Sequence, residues 1–162
     1  MPNIPLVLLA ISTFTELRDD IREIVHKNIA KSFHVGMIST FVMHFDDENS
    51  WKLIEHLKKI FTDTAKYNGE ETEFYCVELV CDIEERKYRN ETPHRLTQKP
   101  SKRNIEFSRM DIETTMEHHR IISNEDEIKR LDAKKYLKID NTNLSAIDVA
   151  KIINEAFKLK HI

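Results

Sequence analysis

Residues 73–104, EFYCVELVCDIEERKYRNETPHRLTQKPSKRN, decide the fold. The first eight, Glu73 to Val80, are short, apolar and β-rich, which reads as a strand. Asp82, with Glu85 three residues on, opens a short helix by capping-box logic, and that helix carries Arg86 and Arg89. Thr92 to Asn104, TPHRLTQKPSKRN, then holds two of the four prolines and almost no apolar residues, which reads as a long loop. From Arg86 to Arg109 eight Lys or Arg stand against two acids, a local +6 in a chain of net charge −3. Such a field needs open solvent or an anionic partner, and it raises the local concentration of anions. Two readings follow: a mobile loop that closes over phosphates, or a solvated surface loop.

The same alternation extends outward. Thr13 and Glu16 form a capping box, and Leu17, Ile21, Ile24, Val25 and Ile29 follow at helical spacing, so 14–31 is predicted as an amphipathic helix. Upstream, Ile4 to Ile11 is apolar without a clear period, so it fits a short helix or a buried strand. Val35 to Phe45, VGMISTFVMHF, is nearly continuous apolar sequence and is predicted as a strand buried on both faces. Asp46 and Asp47 end it and cap a helix over about 50–66, which Gly69 closes. Ser108 or Asp111 starts another helix through His119, and Asn124 to Leu131 reads as a helical turn or loop. Tyr136 to Ile139 is a third short strand, Asp140 to Asn143 a polar loop, and Ser145 caps a last helix. Strands alternating with helices imply βαβ units and a mainly parallel sheet with helices on its faces. Ligands of such sheets bind beyond the carboxyl ends of the strands, where the basic stretch also begins.

Composition narrows the classes. With 162 residues, 40% hydrophobic and 33% charged, the chain reads as one soluble α/β domain. Its mild acidity argues against a general nucleic-acid or membrane-surface binder. The longest apolar run, Ile4 to Ile11, is too short to span a bilayer and lacks the flanks of a signal peptide. Cys76 and Cys81, if on one strand, lie roughly 16 Å apart, beyond the ~4.4–6.8 Å a disulfide allows. Two unpaired thiols predict a cytoplasmic setting. The eight histidines show no His-x-x-x-His spacing, and no metal site is predicted.

The order of strand, Arg-bearing helix, basic loop, helix, strand, Asp-Asn-Thr-Asn and final helix resembles the C-terminal part of small P-loop kinases, the shikimate, gluconate, adenylate and nucleoside kinases. It is closest to bacterial kinase-like proteins of the shikimate kinase or ATP-binding type. The stretches that carry the resemblance are TPHRLTQKPSKRN at 92–104, Arg89-Asn90, and LKIDNTNLSAIDVAKIINEAF at 137–157. It covers roughly residues 14–159 through several weak motifs in order.

The resemblance implies a three-layer α/β/α P-loop NTPase fold, ATP and magnesium as cofactors, and phosphoryl transfer to a small hydroxylated acceptor. It implies lid roles at about 91–107 for Arg95, Lys99, Lys102 and Arg103, with Arg95 and Arg103 closing on the transferred phosphate. Arg86 and Arg89 would flank adenine and phosphates. Their three-residue spacing departs from the four of adenylate kinases, so Asn90 takes one place. Asn141, Thr142 and Asn143 would lie beside adenine. For each cation the plain alternative is an exposed surface charge, and for the Asn-Thr-Asn loop a polar turn before a capped helix. Asp46 and Asp47 match a magnesium or proton-accepting carboxylate, with helix capping the preferred reading.

The chain departs from the family at its defining element. Its only glycines are Gly36 and Gly69, so these residues hold no Gly-x-x-x-x-Gly-Lys-Ser/Thr loop. The expectation is an N-terminally truncated kinase-like domain with little or no transferase activity as it stands. Ile4 to Ile11 would fill the vacated central strand. The competing reading is a non-catalytic binding module, dimeric through an exposed sheet edge. A lesser one is an RNA-phosphate binder using 86–109.

Overall fold

Two parallel strands, β1 (Tyr75–Val80) and β2 (Lys135–Asp140), pair in the register Tyr75↔Lys135 through Val80↔Asp140. The computed structural model describes residues 6–32 and 36–159. The helices are α1 (Leu6–Ala30), α2 (Glu48–Asn68), α3 (Ile83–Asn90), α4 (Pro93–Gln98), α5 (Ile105–His118), α6 (Glu125–Leu131) and α7 (Ala146–Phe157), with a 3₁₀ turn at Pro100–Lys102. The fold is a mixed α/β arrangement with parallel strand pairing. Among the described residues the sheet has two strands. No helix among them is long and apolar enough to cross a membrane.

The chain gathers into two compact units, one of residues 1–41 and 52–72, the other of 42–51 and 73–162. In the first, Ile60 and Ala65 of α2 are buried. Gly69, at φ +73°, closes α2 with a Schellman pattern: its N–H bonds the Lys66 carbonyl at 3.2 Å, and the Glu70 N–H bonds Ala65 at 2.8 Å. A side chain at φ +73° would be strained, which is why glycine serves here.

The second unit holds both strands. Phe45, Trp51, Leu131, Ile139, Val149 and Phe157 are its buried apolar residues. Trp51 donates its indole N–H to the Phe45 carbonyl at 3.0 Å and meets the Phe45 ring edge-on. The Arg130 guanidinium lies 4.2 Å over the Trp51 ring while two of its nitrogens hold Glu48 at 3.0 and 2.5 Å. Asp47 caps α2 by accepting the Asn49 N–H at 3.0 Å, and Asp46 accepts the Arg120 N–H at 3.1 Å. Asp47 follows the capping reading; Asp46 instead holds the Arg120 backbone, 74 residues away. Ser145 caps α7 by accepting the Asp148 N–H at 3.1 Å.

Three expectations are corrected. Residues 36–44 form no strand; Ile38 is 93% and Val42 66% exposed. A strand needs a neighbour to satisfy its N–H and C=O groups, and among the described residues none pairs there. Leu6–Ile11 is the first part of α1, so it fills no strand position and the Thr13–Glu16 box opens nothing; Ile4 lies outside the described residues. The basic stretch after Thr92 is not a loop. Thr92 accepts the Arg95 N–H at 3.3 Å, Pro93 takes the first helical position, and α4 forms before the turn at Pro100.

Candidate phosphate-facing basic site

The ends of β1 and β2 are tied by α3. Arg89 on α3 sends its Nη2 to the carbonyls of Asn141 at 2.8 Å and Thr142 at 2.9 Å, and its Nε to Glu85 at 2.7 Å. Thr142 Oγ1 accepts the Asp82 N–H at 3.0 Å and donates to Asp140 at 2.7 Å. Asp82 makes no side-chain cap to α3, unlike the expectation; its own N–H is what is bound. Arg89, Asn141 and Thr142, singled out separately in the sequence, are thus one cluster. Arg89 is committed to protein carbonyls. Asn141 Oδ1 is buried with no hydrogen-bond partner among the described residues. Asn143 is exposed beside it. Asn90 is turned inward, its amide bonded to the buried Ser108 hydroxyl.

The basic segment divides into neutralised and unneutralised charges. Lys87 pairs with Glu113 at 2.7 Å and Glu84 at 3.4 Å, and Lys102 with Asp111 at 3.0 Å. Arg109 holds Glu91 through both nitrogens of its fork, one at 2.7 Å. The Arg109 guanidinium keeps the Glu91 carboxyl below the usual carboxylate range, against a smaller opposing effect of burial. Arg86, Arg95, Lys99 and Arg103 have no carboxylate partner among the described residues; Arg103 donates only to the Leu96 carbonyl, at 3.2 Å. These four sit on α3, on α4, at the end of α4 and after the 3₁₀ turn, which are successive packed elements. Arg95 is half-buried, and Lys99 and Arg103 are exposed. Each of the four is left with N–H donors that an anion can accept.

A third cluster went unread in the sequence. Glu78 sits mid-strand in β1 opposite Lys138 of β2, with its side chain 8% exposed. It accepts the Ser123 hydroxyl at 2.5 Å, the Ser123 N–H at 3.2 Å and the Tyr136 hydroxyl, with Lys138 Nζ at 3.2 Å. Burial pushes the Glu78 carboxyl up, but these hydrogen bonds together outweigh it and hold the group below its ordinary value. Burial and then the bond to Glu78 push the Tyr136 hydroxyl far up. Cys76 shares this strand face, and burial raises its thiol. The only sequence signal was an acid inside an otherwise apolar strand. The cluster is internally satisfied and holds the two strands in register.

An open depression lined by Ile83, Met110, Glu113, Thr114, Met116 and Glu117 lies along α5. Its acidic side chains suit no phosphate. Among the described residues no group of three or more His, Cys, Asp or Glu is placed to hold a metal ion. No protein-family model, curated protein or solved structure matches this chain.

Proposed function

We propose that the chain is a kinase-like nucleotide-binding domain that holds the phosphates of ATP on Arg86, Arg95, Lys99 and Arg103. In this reading it corresponds to the C-terminal part of a three-layer α/β/α P-loop kinase fold. The observation that carries the reading is the division of charge: the neighbouring cations are spent on carboxylates, while these four are not. Solvent-accessible cations that hold no carboxylate are free to meet an anion. Arg95 and Arg103 bring planar forks that meet phosphate oxygens in two places, and Lys99 adds a point charge. Arg89 serves as the brace that holds the Asn141–Asn143 loop to α3, the helix that carries Arg86.

Asp46 and Asp47 are engaged as backbone acceptors, and among the described residues no group of three or more His, Cys, Asp or Glu is placed for a cation. With no Gly-x-x-x-x-Gly-Lys-Ser/Thr loop in these residues, binding rather than phosphoryl transfer is the activity proposed for them. The acceptor is a small hydroxylated molecule only if such a loop is supplied from elsewhere. Equilibrium binding of ATP, ADP and inorganic triphosphate tests the reading. Arg95→Ala with Arg103→Ala is expected to weaken all three at least about tenfold, the scale of one lost charge-assisted bond. Unchanged affinity in that double variant would remove both residues from the site. Tighter binding of single-stranded RNA than of ATP, with a steep salt slope, would replace the reading by the RNA alternative.

A further inference from the structure

Helix α1 carries an apolar seam left open to solvent: Leu17 is 55%, Ile21 52%, Ile24 61% and Val25 46% exposed. The opposite side of the helix is the one engaged within its unit. There Glu23 meets His56 of α2 at 3.5 Å, and Ile29 and Ala30 are half-buried. The spacing of the seam is informative. Leu17, Ile21, Ile24 and Asn28 are separated by four, three and four residues, and the sequence continues the repeat upstream through Phe14, Ala10 and Val7. That is a period of 3.5, the period that keeps a seam facing a partner helix rather than drifting around the cylinder. The helix runs unbroken over Leu6–Ala30, long enough for three heptads.

We infer that this seam pairs antiparallel with α1 of a second copy of the chain. The charges beside the seam choose the partner and the direction. Asp20 and Lys27 occupy equivalent flanking positions one heptad apart. With Ile21 set against Ile24 of the second copy, each Asp20 faces Lys27 of the other, giving two symmetric ion pairs about a two-fold axis. In a parallel pair Asp20 would face the apolar Val25 instead. Asp20 has no ion-pair partner within the chain among the described residues, while Lys27 is held only by its helical neighbour Glu23, at 2.5 Å. A two-fold pair also buries the four exposed apolar residues of each helix at once, which a single copy leaves in water. The surface lies in the other compact unit from the basic cluster, so this inference stands apart from the nucleotide reading.

Light scattering on the full chain at about 100 µM, a concentration that populates micromolar complexes, tests it. The mass expected is twice 19.2 kDa. Ile21→Asp with Ile24→Asp, both at exposed positions, is expected to give a monomer of unchanged helicity. Asp20→Lys alone and Lys27→Glu alone are each expected to weaken the dimer at least about tenfold, and the two together to restore it, because the facing charges are exchanged. A monomer for the unmodified chain would overturn the inference, including one that binds lipid vesicles through α1. So would a dimer that survives the Ile21 and Ile24 changes, or a charge exchange that restores nothing.

Discussion

Arg89 and Thr142, 53 residues apart in sequence, are joined by a 2.9 Å bond from the guanidinium to the backbone carbonyl. The bond fastens α3 to the loop after β2, and the Asp82–Thr142 bond at 3.0 Å fastens the end of β1 to the same loop. One planar fork serves three carbonyls and a carboxylate, a geometry an ammonium does not reproduce. Arg89→Lys, which keeps the charge, is therefore expected to cost about 1–2 kcal/mol, with half-exposure holding the figure down. Urea unfolding reads it; no change in midpoint would mean that the fork is not the brace.

The two neighbours in that loop make a contrast. Thr142→Val removes both the acceptor for the Asp82 N–H and the donor to Asp140, at an expected cost of about 1–2 kcal/mol. Asn141 Oδ1 has no donor to lose, and the Arg89 bond goes to the Asn141 backbone, so Asn141→Ala should stay within about 0.5 kcal/mol. Equal losses in the two variants would show that Asn141 Oδ1 has a partner.

Glu78 and Tyr136 set the response to pH. A carboxyl held below its ordinary value stabilises the fold above the unfolded pKa, about 4.3, and the contribution is lost as pH falls through the lower folded value. Glu78→Gln should be less stable than the parent at neutral pH by about 1–3 kcal/mol, and the gap should close in acid. A hydroxyl raised above its ordinary value acts in the other direction. Its contribution is full below about pH 10 and is lost as pH rises further, so Tyr136→Phe should flatten the alkaline limb. Stability curves from pH 3 to 11 measure both. A gap that does not narrow in acid would show that Glu78 is not ionised in this network.

What the sequence disclosed follows from how local each feature is. Ser145 and Gly69 act within one turn of a helix, so their capping roles were readable from neighbours alone. The parallel pairing of β1 with β2 followed from strands separated by helices. The Val35–Phe45 run misled because apolar composition records a wish for burial, not the presence of a neighbouring strand. Pro93 and Pro100 suggested a loop, but a proline at the first helical position starts a helix as readily as it ends one. Glu78 could not be recognised because its partners Ser123 and Tyr136 come from 45 and 58 residues away. The division of the basic stretch was hidden for the same reason: Glu113 and Asp111 reach back from α5 to neutralise Lys87 and Lys102.

The four cations without carboxylate partners are expected to contribute to binding and not to stability. Arg95→Ala with Lys99→Ala should leave the unfolding midpoint within about 2 °C of the parent, since surface changes are usually within about 0.5 kcal/mol. The same pair should lose at least about tenfold in ATP affinity by isothermal titration. A loss of stability without loss of affinity would make the segment structural.

Thermal unfolding of the chain across an ATP titration tests the central claim most directly. At a hundredfold excess over the dissociation constant, a ligand that binds only the folded state adds about 2.7 kcal/mol, a rise of about 5–10 °C for a chain of this size. The expected result is a saturable rise that disappears in the Arg95, Arg103 double variant. An unfolding midpoint that does not move up to millimolar ATP would contradict the nucleotide reading.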